Sequence, residues 1–356
     1  MKTIVLTGGG TAGHVTPNIA LLPSLQKNGF NIEYIGSKNG IEESLIKDYD
    51  IPYYGISSGK LRRYFSLKNF TDPFRVIKGF FEADRLIKKI KPDIVFSKGG
   101  YVAVPVVRAA KRNRIPVIIH ESDMTPGLAN KLCFSAAKKI CCNFPETMLH
   151  LPKKKAVLSG LPIREELKVG NRKRALEFTG LKGNKPVILV IGGSLGALTV
   201  NLAIRSILDK LLNDFDIIHL CGKGKIDESL TNKQGYRQYE YIKDELKDLF
   251  ALSDIVVSRA GANAICELLA LKKPNLLIPL PEGSSRGDQL LNAESFEKQS
   301  YSLVLREDDL TGGLLYEKIM ELYTNKDRFI DNMDRSSQNN AIATIMGLIN
   351  ENVRSE

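Results

Sequence analysis

Residues 2–27 read "KTIVLTGGGTAGHVTPNIALLPSLQK": a short apolar run, a cluster of glycines, then a helical pattern. Near residue 187 the same order returns in "PVILVIGGSLGALTVNLAIRSIL". A strand that passes through a glycine turn into a helix opens a βαβ unit. A chain that opens this way twice is expected to be α/β, with two doubly wound parallel-sheet domains. "NIEYIG", "DIVFS", "PVIIH", "KKICC" and "AVLSG" read as further strands of the first half. "DIIHLCG", "YEYI", "DIVVSRAG", "PNLLIPL" and "YSLVLRE" read as those of the second. The runs are continuous rather than alternating, as in strands buried on both faces. The seam falls near "SGLPIREEL", and "NNAIATIMGLINENV" is a helix long enough to pack back on the first domain. The expected parts are residues 1–162, 163–338 and 339–356.

Charge divides the halves. Residues 1–164 hold 26 Lys/Arg against 12 Asp/Glu, whereas residues 165–356 hold 25 against 28. The first half therefore faces something negative: nucleic acid, anionic lipid or a phosphorylated substrate. Against nucleic acid, no helix-turn-helix, RRM or zinc-finger signature occurs, and the glycine loops would go unexplained. The 5 cysteines are odd in number and form no Cys-x-x-Cys. Neither a disulfide framework nor a zinc site is indicated, and a reducing, cytoplasmic compartment is expected. There is no signal-peptide pattern, and no apolar run approaches the roughly 18 residues of a membrane span.

"GGGTAG" fits G-x-G-x-x-G through Gly8, Gly10 and Gly13. A nicotinamide site would add an acid at the end of the second strand, where this chain has Gly36 and Ser37, so NAD(P) is not expected. "SKGGYVAVP" and "GGSLGA" are two further loops of this kind. Each alone reads as a tight turn. Together, at the carboxyl ends of parallel strands, they suit phosphate at helix N-termini. In "SRAGANAICE" a strand opens into a helix at Ala262 and Asn263, whose N–H groups could meet ligand oxygens. Glu267, one turn on, reads either as an acceptor for two ribose hydroxyls or as a solvated side chain. Gln289 and Asn292 share a helix face, and their amides suit sugar hydroxyls. Four histidines occur. His150 and His219 read as structural, and His120, at a strand end, is open between core and function. His14, at the mouth of the first loop, reads either as a capping or phosphate-binding residue or as a general base.

Six stretches together, "GGGTAGH", "HESDMTPGLANK", "GLPIR", "GGSLGA", "SRAGANAICE" and "DQLLNA", resemble the MurG family end to end. These are the UDP-N-acetylglucosamine:lipid I N-acetylglucosaminyltransferases of bacterial peptidoglycan synthesis. The resemblance implies a GT-B architecture, two Rossmann-like domains facing across a cleft, and an inverting transfer of GlcNAc from UDP-GlcNAc to lipid I. No metal cluster of Asp/Glu/His is visible in the sequence, so neither a metal nor a cofactor is expected. Donor contacts would come from Thr11, Ala12, Gly13, Arg164, Ser194, Ile242, Ala262, Asn263, Glu267, Gln289 and Asn292. The acceptor diphosphate would meet Gly9, Gly10, Gly99, Gly100 and Tyr101. His14 would be the general base, with Glu121 as the alternative base or an orienter of the histidine. Two departures stand out: Asp123 replaces the Asn common in "HEQN", and Ala12 replaces a common Gly. A related UDP-sugar transferase with another lipid acceptor is the rival reading.

Residues 61–91, "LRRYFSLKNFTDPFRVIKGFFEADRLIKKIK", are basic and aromatic. Phe70, Phe74, Ile77 and Phe81 recur at helical spacing, so the stripe either packs inward or meets a surface. With Arg62, Arg63, Lys68 and Lys78 nearby, it suits the headgroup region of an anionic membrane. Peripheral attachment to the cytoplasmic face of the cell membrane is therefore expected, and cell-wall synthesis and division proteins are the further partners implied.

Overall fold

The structure, a computed structural model, describes residues 2–59, 68–193, 196–283 and 287–354, with backbone alone at 68–74, 337 and 339. The chain divides into two compact units, Met1–Arg164 with Asn340–Glu356, and Glu165–Asn339.

Unit 1 is built on seven parallel strands: β1 (Thr3–Thr7), β2 (Asn31–Ser37), β3 (Tyr53–Ile56), β4 (Ile94–Ser97), β5 (Val117–Glu121), β6 (Lys139–Cys142) and β7 (Ala156–Leu158). Their order is β3-β2-β1-β4-β5-β6-β7. Five helices link them: α1 (Thr16–Lys27), α2 (Ile41–Lys47), α3 (Lys68–Ile90), α4 (Ala103–Arg112) and α5 (Leu128–Cys133). The unbroken apolar run of β1 feeds two cores at once. Ile4 and Leu6 join Ile19 and Leu22 of α1 on one face, while Val5 joins Ala83 and Ile87 of α3 and Val106 of α4 on the other. Gly79 lets α3 lie close to β3, because a Cβ there would run into the Ser57 carbonyl.

Unit 2 repeats the plan with β8 (Val187–Ile191), β9 (Asp216–Leu220), β10 (Tyr236–Tyr239), β11 (Ile255–Ser258), β12 (Asn275–Leu277) and β13 (Ser302–Val304). The order is β10-β9-β8-β11-β12-β13, again all parallel. Its helices are α6 (Arg172–Thr179), α7 (Leu198–Ser206), α8 (Leu208–Leu211), α9 (Leu246–Leu252), α10 (Ala262–Ala270), α11 (Asp288–Lys298), α12 (Gly312–Thr324) and α13 (Lys326–Asp334). The last helix, α14 (Ala341–Asn352), belongs to unit 1, where Ile345, Met346 and Ile349 enter the same core as α1. In both sheets the strand order reverses direction beside the first strand, between β1 and β4 and between β8 and β11. Successive connections there leave to opposite faces, and a crevice opens at the carboxyl ends of the strands.

Two strands differ from the sequence reading. β3 was not expected; "YYGI" is a partly exposed edge strand after Pro52, with a glycine and no apolar run. β10 lies at Tyr236–Tyr239 rather than at "YEYI". It too is an edge strand. Its polar residues are held by side-chain bonds, Gln238 to Arg205 at 2.7 Å and Arg237 to the Thr179 carbonyl at 2.6 Å. Among the described residues no helix is long and apolar enough to cross a membrane.

The return of α14 gives a stability test. Ile349→Ala should destabilise unit 1 by about 2–5 kcal/mol, as for other large-to-small core changes. Hydrogen exchange should speed up in β1 and β2 and stay at parental rates in β8 and β9.

Candidate functional site

Both crevices are lined by the glycine loops. In unit 1, residues 8–15 lead from β1 through a 3-10 turn at Ala12–His14 into α1. The loop after β4 packs directly on it. Gly99 and Gly100 have φ of 95° and 84°, and a Cβ on Gly100 would strike the Gly9 carbonyl. A Cβ on Gly10 would enter the Tyr101 ring. These glycines are thus required by two loops pressed together. The N–H of Gly10 is committed: it donates to Glu42 Oε2 at 3.1 Å.

His14 is half-buried, and its Nδ1 lies 3.1 Å from the Thr11 hydroxyl. Thr11 is exposed, with Ala12 and Gly13 half-buried beside it. Glu121 ends β5 and is turned inward. Its Oε1 accepts the Asp123 N–H at 3.0 Å, and its Oε2 accepts the Gly127 N–H at 3.0 Å and the Asn130 amide at 2.9 Å. At 4% exposure, with three N–H donors on it, this carboxylate staples the 122–127 loop. Asp123, the departure from "HEQN", belongs to that staple through its backbone. His120 is fully buried and donates from Nε2 to the Gly160 carbonyl at 2.9 Å. Burial, and then the charge of Lys98, push its pKa well below the ordinary imidazole value, so it is a neutral core residue.

Two residues here were not singled out from sequence. Glu42 is fully buried under the first loop, and Lys98 is 1% exposed at the end of β4, with its ammonium on the Ser122 hydroxyl. An acid in "IEESL" and a lysine in "FSKGG" look like ordinary surface positions until the fold buries them.

In unit 2 the loop after β8 carries Gly193 and Gly196 at φ of 83° and 67°. A Cβ on Gly196 would strike the Cys221 carbonyl. Ser194 lies outside the described residues. Helix α10 starts at Ala262 behind Gly261, so the first-turn N–H groups of Ala262 and Asn263 project from the helix end, with Glu267 half-buried one turn on. The loop before α10 is braced from beneath. Arg259 donates to the Ile278 and Pro279 carbonyls at 3.0 and 3.2 Å and pairs with Glu307. Asn292, 1% exposed, donates to the Ala260 carbonyl at 3.1 Å. Its amide nitrogen serves the loop, while its Oδ1 is buried with no hydrogen-bond partner among the described residues. Gln289 is half-buried and accepts the Leu280 N–H at 3.2 Å. Ile242 is buried at 6% exposure in the segment after β10, and Arg164, half-buried, ends unit 1. His219 is held between the Tyr236 hydroxyl and the Asn201 amide oxygen at 2.8 and 2.9 Å. Burial lowers its pKa to about 3, and the role is structural.

Two Rossmann-like units, each with a glycine loop and a helix end at its switch point, place the chain in the GT-B fold class. Residues 4–142 match the glycosyltransferase family 28 N-terminal domain, and residues 187–348 match the family 28 C-terminal domain. The chain is 63% identical over 352 residues to the UDP-N-acetylglucosamine–N-acetylmuramyl-(pentapeptide) pyrophosphoryl-undecaprenol N-acetylglucosamine transferase of Lachnospira eligens, with 99% of each chain covered. It is 60% identical over 351 residues to the transferase of the same description from Lachnoclostridium phytofermentans, again with 99% of each covered. Among solved structures, MurG of Acinetobacter baumannii matches with a TM-score of 0.76 at 26% identity, over 99% of this chain and 100% of that one. The chain belongs to glycosyltransferase family 28 and, within it, to the MurG family.

The staple at Glu121 can be separated from base catalysis. Glu121→Gln puts an NH2 group against N–H donors, so unfolding should be easier by about 1–3 kcal/mol, the range for an unsatisfied buried group. The pH profile of turnover should keep its parental shape. A lost acid limb with parental stability would return Glu121 to the role of base.

Proposed function

We propose that this protein moves GlcNAc from UDP-GlcNAc to the C4 hydroxyl of the MurNAc in lipid I, giving lipid II for peptidoglycan synthesis. The observation that carries the reading is the 63% identity, over 99% of both chains, to a relative described by that activity. Unit 2 is the donor side in this reading. Ser194 and its loop, with Arg164, would hold the diphosphate, and Ile242 the uracil. Ala262, Asn263 and Glu267 would hold ribose and sugar, and the Gln289 amide a GlcNAc hydroxyl. Helix N-termini and backbone N–H groups stabilise the leaving diphosphate. From unit 1, Thr11, Ala12 and Gly13 would contribute to donor binding, and Gly9, Gly10, Gly99, Gly100 and Tyr101 to holding the acceptor diphosphate.

The step is a single in-line displacement. The C4 oxygen bonds to the anomeric carbon, the bond to the UDP oxygen breaks with its electron pair leaving on UDP, and the α-linked donor becomes a β(1→4) product. The hydroxyl proton passes to His14. In the tautomer whose Nδ1–H donates to Thr11 Oγ1, the Nε2 lone pair is the one that receives it.

Helix α3 supports a membrane-facing surface on unit 1. Ile77 and Phe81 are 55% and 61% exposed, and Arg75, Lys78, Arg85, Lys88 and Lys89 are exposed on the same helix. Arg62, Arg63, Tyr64 and Phe65 lie outside the described residues, as do the side chains of Lys68, Phe70 and Phe74. An apolar stripe flanked by cations suits an anionic leaflet and a prenyl-linked acceptor. Peripheral attachment to the cytoplasmic face of the cell membrane follows from this reading, with cell-wall synthesis and division proteins as further partners.

Incubation with UDP-GlcNAc and lipid I should release UDP and yield a disaccharide lipid by mass spectrometry. UDP release with a different lipid acceptor and none with lipid I would move the chain to the rival acceptor class. His14→Ala should slow turnover by roughly 10²- to 10⁴-fold, the usual contribution of a general base. Its UDP affinity should stay parental, and turnover within about twofold of the parent would remove the base assignment. Arg75→Gln with Lys78→Gln should weaken sedimentation with anionic vesicles by about 1 kcal/mol per cation removed. Transfer to a short-chain soluble acceptor should be unchanged. Equal loss on both acceptors would place this face in the catalytic machinery instead.

A further inference from the structure

Glu42 lies buried against the first glycine loop. Its carboxylate is 0% exposed. Oε1 accepts the Ser37 N–H at 2.9 Å and the Ser37 hydroxyl, while Oε2 accepts the Gly10 N–H at 3.1 Å. The donors are neutral, and the surroundings are shaped around the group. A Cβ on Gly9 would run into the carboxylate, and Cβ atoms on Gly36 and Gly40 would crowd its side chain. Tyr53 and Tyr101 close the pocket; burial, and then the negative charge of Glu42, raise both phenols above their ordinary pKa and keep them neutral. Backbone N–H groups of a glycine loop ahead of a helix are the usual donors to a phosphate. Here one of them turns back onto the protein's own acid.

We propose that Glu42 is an internal substitute for a phosphate, which holds the first glycine loop from behind and thereby makes it a positioning residue for His14. The connection is short. Gly10 is fixed by Glu42; the next residue, Thr11, holds His14 twice, through its carbonyl to the His14 N–H at 3.1 Å and through its hydroxyl beside Nδ1 at 3.1 Å. A loop anchored this way carries its imidazole in one orientation without waiting for a ligand. It also leaves the Gly10 N–H unavailable to the acceptor. The kinetic part of this inference rests on His14 acting as the base; the anion-binding part does not.

Two variants test it. Glu42→Ala opens an anion-sized gap. With excess UDP present to fill the donor side, inorganic phosphate should raise its unfolding temperature, and should leave the parent's where chloride of equal ionic strength does. If the variant folds only in phosphate, that is the same result in stronger form. An equal response of variant and parent overturns the substitute-phosphate assignment. Glu42→Gln keeps the shape and removes the charge. It should lower kcat by on the order of 10-fold or more, as small misplacements of a reacting group do, with the KM for UDP-GlcNAc unchanged. Parental kcat in Glu42→Gln overturns the positioning role. Should Glu42→Ala fold in neither salt, the Gln variant alone decides. Absence of GlcNAc transfer by the parent would count against the proposed function, while the phosphate response would still report on Glu42.

Discussion

All strands of each sheet run the same way, and from this the rest of the molecule follows. Every strand-to-helix connection after a strand leaves at one edge, so the chemistry-bearing loops collect there. Beside β1 and β8 the connections part to opposite faces, and in unit 1 the loops after β1 and β4 press together beneath the gap. In unit 1 the approach is tight enough that side chains are excluded, with Gly100 on the Gly9 carbonyl; in unit 2 the tight contact lies between the neighbouring loops after β8 and β9, where Gly196 sits on the Cys221 carbonyl. Glycine is demanded twice at Gly100, by the space and by a φ of 84°.

Tight loops bring backbone N–H groups and ionisable side chains out of water, and each then needs a partner. Three buried acids answer this in three ways. Glu42 accepts from a loop N–H and a serine, Glu121 accepts two loop N–H groups and an amide, and Asp84 binds Lys88 and Asn113, each at 2.7 Å. The first two hold loops; the third joins α3 to the end of α4. The hydrogen bond from Lys88 is the main reason the Asp84 carboxyl lies below its ordinary value. The buried histidines go the other way and stay neutral, with both ring nitrogens of His219 bonded within unit 2.

The sequence made the architecture legible because the central strands announce themselves. β1, β4, β5, β8 and β11 are apolar runs bounded by Gly, Pro or Asp, and no other arrangement buries them on both faces. The edge strands β3 and β10 lack that signature, since their outer side meets water and their polar residues bond to neighbouring loops. Among the candidate residues, the loops and helix ends were visible as motifs. The direction of a side chain was not. Glu121 was read as a base or an orienter of His14, yet its carboxylate accepts N–H groups from the loop that follows it, and the Asn292 amide nitrogen reaches back to the Ala260 carbonyl, a contact that no local pattern encodes. Glu42 escaped notice for the same reason, its partners being set by the pairing of β1 with β2.

The path of α14 bears on how the protein comes into being. Ile345, Met346 and Ile349 complete the core that α1 and β1 begin, yet they are translated only after all of unit 2. On the ribosome the usual N-to-C order of folding is therefore inverted in part: unit 2 has its full complement of elements while unit 1 still exposes an apolar strip along α1. A nascent chain of this design passes through a stage in which its first-made half is the sticky one. A ribosome stalled before residue 341 would hand the cell a folded second half joined to an aggregation-prone first.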